Sequence, residues 1–125
     1  IKRRERFRPF APSILAEHRS EWFENDAAVP YMSQVFNVKR EKRKEIPGVV
    51  HKDGTGRLQT VLEGMNKKYH RLISEFFKLT GVPLVLNTSF NENEPIVETP
   101  AQAFAVFERT KMDLLVIENT TFRRL

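Results

Sequence analysis

The stretch Thr80-Gly-Val-Pro-Leu-Val-Leu-Asn-Thr-Ser-Phe-Asn91 decides the fold class, because a helix stop, an apolar strand and a polar strand end follow one another without a spacer. Gly81 is placed to end the preceding helix, since glycine takes the left-handed conformation of a C-terminal cap at no steric cost. Leu84 to Leu86 is a short apolar run. A run that feeds into Asn87, Thr88, Ser89 and Asn91 reads as a buried strand that hands hydrogen-bonding groups to a site.

Outward from this stretch the elements alternate. Toward the N-terminus, Tyr69, Leu72, Ile73, Phe76 and Phe77 recur at helical spacing after Asn66, which predicts a helix from Asn66 to Gly81. Val49 to His51 and Leu58 to Val61 are strand candidates around the turn Asp53-Gly54-Thr55-Gly56. Tyr31 to Val38 has a rough strand signature, and Pro12 to Glu17 reads as a strand leading into a helix near His18 to Phe23. Toward the C-terminus, Thr99 as N-cap, Pro100 at the first position and Gln102 in the capping-box place announce a second helix, with Phe104 and Phe107 expected to face inward. Asp113-Leu-Leu-Val-Ile117 is continuously apolar after its aspartate and reads as a central strand covered on both faces. The pattern predicts an α/β (α+β) fold with a mixed sheet and flanking helices, with Tyr69 and Phe90 in the core.

Composition bounds the chemistry. The chain has 125 residues, 40% of them hydrophobic, which suits one domain over 1–125 with a core of its own. Without cysteine there is no thiol nucleophile, thiolate metal site or disulfide framework. No window approaches the roughly 18 apolar residues of a membrane span, and no signal peptide is visible; a cytoplasmic protein without membrane partners is expected. The chain opens at Ile1 inside a cationic cluster, as expected of a piece of a longer protein. Twenty-one Lys and Arg against 16 Asp and Glu leave a net charge of +5, which favours phosphate-bearing partners without naming them. Lys39 to Glu45 is mixed in sign and reads as a solvated segment. Lys2-Arg-Arg-Glu-Arg-Phe-Arg8 differs, because Phe7, Pro9, Phe10 and Pro12 stiffen it into a candidate anion site.

Four phrases carry a resemblance: Lys2-Arg-Arg-Glu-Arg-Phe-Arg-Pro-Phe-Ala-Pro12, His51-Lys-Asp-Gly-Thr-Gly-Arg-Leu-Gln59, Thr80 to Asn91, and Glu94-Pro-Ile-Val97. In that order they closely resemble the C-terminal domain of the NodU-type O-carbamoyltransferases, a domain similar in fold to YrdC proteins. The resemblance implies a truncated YrdC-like domain, several tens of residues short at its N-terminal side. It also implies a function: ATP and carbamoyl phosphate are taken up and carbamoyl adenylate is formed. An N-terminal domain of the actin and hexokinase type, absent from these residues, would then pass the carbamoyl group to an acceptor hydroxyl.

Physical logic and resemblance together give candidate residues. The ligands carry several negative charges, whose mutual repulsion fixed cations must offset. Lys2 and Arg4 form a Lys-x-Arg pair like that of YrdC-like proteins, and in an extended segment positions two apart face one side; Arg8 is a third cation. Arg57 follows the Asp53-Gly54-Thr55-Gly56 turn, whose amides can cradle an anion, although the same residues also suit a plain hairpin turn. The resemblance favours a ligand role for Arg57 and raises His51, Asp53 and Thr55; His51 reads equally as a general base, a phosphate donor or a packed histidine. Asn87 to Asn91 resembles the Ser-Thr-Ser-Ala-Asn type motif of YrdC-like proteins, whose hydroxyls and amides contact phosphates. Ser89 is therefore the leading hydroxyl, with Asn87, Thr88 and Asn91 beside it, while capping of the strand end is the plainer alternative. No histidine pair at ligand spacing suggests a protein-held metal, so Mg²⁺ is expected to arrive with ATP. Two rival readings stay open: a YrdC-like threonylcarbamoyl-adenylate synthase or RNA-binding module, and a non-catalytic docking domain. Nucleic acid is the less expected partner, because the His51 to Thr55 motif and Arg8-Pro-Phe-Ala-Pro12 resemble the carbamoyltransferases instead.

Overall fold

The computed structural model describes residues 7–124, which divide into two compact units, Phe7–Thr88 and residues 89–124. In the first unit, β1 (Ala11–Leu15) lies between β4 (Gln59–Val61) and β5 (Leu84–Asn87). β1 runs parallel to β4, with Ser13 opposite Gln59, and antiparallel to β5, with Ala11 opposite Asn87. The sheet is mixed, as its sequence predicts. Every residue of β1 is buried, because a strand with neighbours on both edges also has both faces covered.

The two faces of that sheet have different coverings. Side chains alternate along a strand, so Leu15, Val61 and Val85 lie on one face, against Tyr69, Ile73 and Phe77 of the helix α2 (Lys67–Thr80). Ile14, Leu58 and Leu84 lie on the other, in a cluster with Trp22, Phe23, Val29, Val38, Ile46 and Val49. Trp22 ends the short helix α1 (Arg19–Trp22), which follows a 3₁₀ turn over Ala16–His18. β2 (Val35–Asn37) and β3 (Thr55–Arg57) form a separate antiparallel ribbon, and β3 contacts β1.

The boundaries of α2 follow from its local chemistry. The Asn66 side chain accepts from the Tyr69 amide, and Gly81, at φ 73°, ends the helix in the left-handed region. In the second unit α3 (Pro100–Arg109) starts with the full capping box of Thr99 and Gln102, as predicted. It packs Ala103 and Phe107 against Leu115 of β6 (Leu114–Ile117), which pairs only with β7 (Thr120–Arg123) among the described residues. Together these elements make a mixed α/β protein.

Four expectations are corrected. Val49 to His51 is not a strand: Pro47–Val49 forms a 3₁₀ turn, and His51 closes on Thr55 with its amide 2.7 Å from the Thr55 carbonyl. Tyr31 to Val38 contributes only Val35–Asn37 to a ladder, because Met32 sits at φ 55° and breaks the extended run. β6 is not central in a sheet; Leu114 and Val116 are exposed, at 51% and 58%, while Leu115 between them is buried. Phe107 faces inward as expected, but Phe104 is 37% exposed and meets the ring of Phe122 edge-on and that of Phe107 at a tilt.

Candidate functional site

At the end of β5, Asn87 joins a closed set of polar side chains on the face that α2 covers further along. Its amide nitrogen donates to Gln59 Oε1 at 2.6 Å and to Ser13 Oγ at 2.9 Å. The Ser13 hydroxyl donates to the same Gln59 oxygen at 2.5 Å, and Gln59 Nε2 donates to the Pro30 carbonyl at 3.1 Å. Ser13 is fully buried, so its hydroxyl must be paired inside the protein. The register causes the cluster: Ser13 faces Gln59 across one edge of β1, and Ala11 faces Asn87 across the other.

Two cations lie close to this corner in sequence. Arg57, at the end of β3, precedes Gln59 by two residues; it is exposed and has no carboxylate partner among the described residues. Arg8 is also exposed, three residues before Ala11. Arg57 and Arg8 thus flank in sequence the strands whose ends meet Asn87. Thr88, next in the chain, is exposed. Lys2 and Arg4 lie outside the described residues.

The turn before Arg57 forms a directional relay of its own. The Thr55 hydroxyl donates to Asp53 Oδ1 at 2.7 Å, and the Thr55 amide donates to the same oxygen at 3.0 Å. Those two bonds, with smaller help from His51, hold the Asp53 carboxyl below the ordinary carboxylate range. Since the Thr55 proton points at Asp53, Thr55 Oγ1 accepts from His51 Nδ1, 3.1 Å away. That fixes the tautomer of a neutral His51 and leaves Nε2 as its proton acceptor. The amides expected to cradle an anion are otherwise engaged: that of Gly54 donates to the His51 carbonyl and that of Thr55 to Asp53. Gly54 has φ 86°, and a Cβ there would collide with the Arg43 guanidinium, whose Nε donates to the Val38 carbonyl. The turn offers side chains rather than amides to a ligand.

Ser89 and Asn91 fall in the second unit. The Ser89 hydroxyl donates to Asn91 Oδ1 at 2.6 Å, and Asn91 Nδ2 donates to the Glu94 carbonyl at 2.5 Å. Glu94 in turn accepts from the amides of Glu92 and Asn93 and pairs with Arg109. Its own backbone amide, then those of Asn93 and Glu92, with Arg109 nearby, lower its pKa from 4.5 to about 2. Among the described residues no three His, Asp or Glu side chains group as a metal site, and no helix is long and apolar enough to cross a membrane. An open apolar groove of about 430 Å³ beside β5, bordered by Ile46, Val49, Phe76 and Leu86, contains none of the predicted residues.

Sequence reasoning missed Ser13 and Gln59. Their signal was present, since each is the polar residue within an otherwise apolar or β-branched strand, Ala11 to Leu15 and Leu58 to Val61.

Comparison with known proteins adds to this geometry. Residues 1–124 match the family model described as carbamoyltransferase C-terminus. The nodulation protein NolNO of Sinorhizobium fredii is 47% identical over 121 residues, covering 94% of this chain and 18% of that protein. The nodulation protein NolO of Bradyrhizobium diazoefficiens is 44% identical over 121 residues, covering 94% and 22%. Nodulation protein U of the same organism is 43% identical over 91 residues, covering 73% and 16%. The chain spans about a fifth of the length of the curated relatives it matches.

Proposed function

The chain belongs to the carbamoyltransferase C-terminus family, and from that premise we propose that residues 1–125 act as the domain of a longer carbamoyltransferase that binds ATP and carbamoyl phosphate and forms carbamoyl adenylate. The reaction balances with one water: carbamoyl phosphate is hydrolysed to carbamate and phosphate, and a carbamate oxygen then attacks the α-phosphorus of ATP and expels pyrophosphate. The carbamoyl group passes to an acceptor hydroxyl in a separate N-terminal domain of the actin and hexokinase type.

This chain's part is positioning and charge. Arg8 and Arg57, with Lys2 and Arg4 from the N-terminal cluster, hold phosphate oxygens; a guanidinium does so in bidentate fashion. His51 Nε2 takes the proton from the attacking water, with Thr55 and Asp53 orienting the ring. The resemblance assigns further phosphate contacts to Thr88, Ser89 and Asn91, and Mg²⁺ enters as the ATP complex and offsets phosphate charge. Such transfers need little covalent help from the protein, because holding reactants in line supplies much of the rate.

The observation that carries the reading is the polar end of β5 bonded to Gln59 across β1, two residues after the exposed Arg57, in a chain of this family. The test is calorimetric titration of the full-length protein with Mg-ATP and carbamoyl phosphate, together with pyrophosphate release. Arg57→Ala should weaken ligand binding roughly ten- to a hundredfold, the value of a hydrogen bond to a charged group. Unchanged affinity and pyrophosphate release in that variant would move the site elsewhere.

A further inference from the structure

The polar corner at the end of β5 has a fixed direction, and the direction says what Asn87 can bind. The Pro30 carbonyl can only accept, so the nitrogen of the Gln59 amide must face it and the oxygen must face Ser13 and Asn87. That oxygen receives the single proton of Ser13 and one proton of the Asn87 amide. The Asn87 nitrogen also faces Ser13 Oγ at 2.9 Å and Met32 Sδ at 3.6 Å, three acceptors for its two protons, so both donors of Asn87 are engaged within the protein. Its Oδ1 has no partner among the described residues. Turning the Asn87 amide over would set oxygen against oxygen at the 2.6 Å contact with Gln59; turning Gln59 as well would set its oxygen against the Pro30 carbonyl.

We infer that Asn87 Oδ1 is a specificity-determining acceptor that reads an N–H or O–H donor on the ligand, and that Asn87 does not bind an ionised phosphate oxygen. This rests on the function proposed above and narrows it. A phosphate oxygen carries lone pairs and no proton at neutral pH, so it would be repelled by Oδ1 and belongs with Arg57 and Arg8. The donors available on the proposed ligands are the carbamoyl NH₂, the 6-amino group of adenine and the ribose hydroxyls. Gln59 and Ser13 are positioning residues, since they act by holding the amide in one orientation.

Ligand pairs that differ by one donor provide the test, titrated into full-length wild-type and Asn87→Ala protein. The pairs are carbamoyl phosphate against acetyl phosphate, ATP against purine riboside triphosphate, and ATP against its 2′- and 3′-deoxy forms. In one pair the wild type should bind the donor-bearing member about tenfold more tightly, and Asn87→Ala should bind both members alike; that pair identifies the donor. Gln59→Ala, which frees the amide to turn, should shrink the same preference while keeping Asn87, and Asn87→Ser stands in if the alanine variant does not fold. If the wild type binds both ligands but Asn87→Ala weakens every member of every pair by one factor, the inference is overturned and the proposed function stands. A wild type that binds neither ATP nor carbamoyl phosphate overturns both.

Discussion

Ser13 is completely enclosed, so its hydroxyl has no route to water and depends on Gln59 and Asn87. Gln59→Leu would remove the acceptor for both neighbours and leave a buried hydroxyl and half an amide unpaired. The cost should be roughly 1–3 kcal/mol in a denaturant melt, the penalty of an unsatisfied buried polar group, whereas Ser13→Ala removes one partner together with its own need and should cost less. A second residue-scale prediction concerns Glu94. Its carboxyl is held to about 2 rather than 4.5 by loop amides and Arg109, so the folded state favours the ionised form. That stabilisation is full above pH 4.5 and is lost as pH falls from there toward 2. Amide resonances of Glu92 and Asn93 should follow one titration with a midpoint near 2, and Glu94→Gln should abolish it. At this scale the sequence pointed to Asn87 but not to its polarity, because the residues that set it, Ser13 and Gln59, lie 74 and 28 positions away.

Helices were legible because their signals are local. The Asn66 cap, the αL turn at Gly81 and the Thr99–Gln102 box each act within one turn of the residues they stabilise, so spacing alone places them. Asn66→Ala should cost about 0.5–2 kcal/mol through loss of the bond to the Tyr69 amide. Gly81→Ala should cost roughly 1–2 kcal/mol through the left-handed backbone, and thermal melts of the two variants would check both values. Strands were legible only in part, since their partners are remote. Leu114, Leu115, Val116 and Ile117 read as a doubly covered strand because the exposed positions are as apolar as the buried one. The hidden alternation shows only once β7 pairs with β6 and α3 covers Leu115. Val49 to His51 failed for a different reason: β-branched composition suits a strand, but Pro47 and the His51 to Thr55 closure leave no ladder to join. The motif from Asn87 to Asn91, which reads as one string, is divided between two compact units after Thr88.

The charge of the whole molecule separates the small-anion reading from the nucleic-acid one. A surplus of +5 attracts any polyanion, but nucleic acid needs cations free in a stripe, and three of the cations here are matched locally. Lys42 pairs with Glu45, Lys78 with Glu75, and Arg109 with Glu94 and Glu92. Arg57, which has no carboxylate partner among the described residues, suits one triphosphate better than a long backbone. Raising salt from 0.05 to 0.5 M shortens the screening length from somewhat above to well below about 10 Å, so Mg-ATP affinity should fall several-fold and remain measurable. A filter-binding assay with tRNA over the same range should show weak binding that involves few phosphates. Each phosphate neutralised on a single strand contributes a slope of about −0.7 in log affinity against log salt. A slope steeper than roughly −4 would require about six such contacts, more than a site for one triphosphate supplies. Tight tRNA binding with that slope, in a protein that ignores ATP, would replace the adenylate-forming reading with an RNA-binding one.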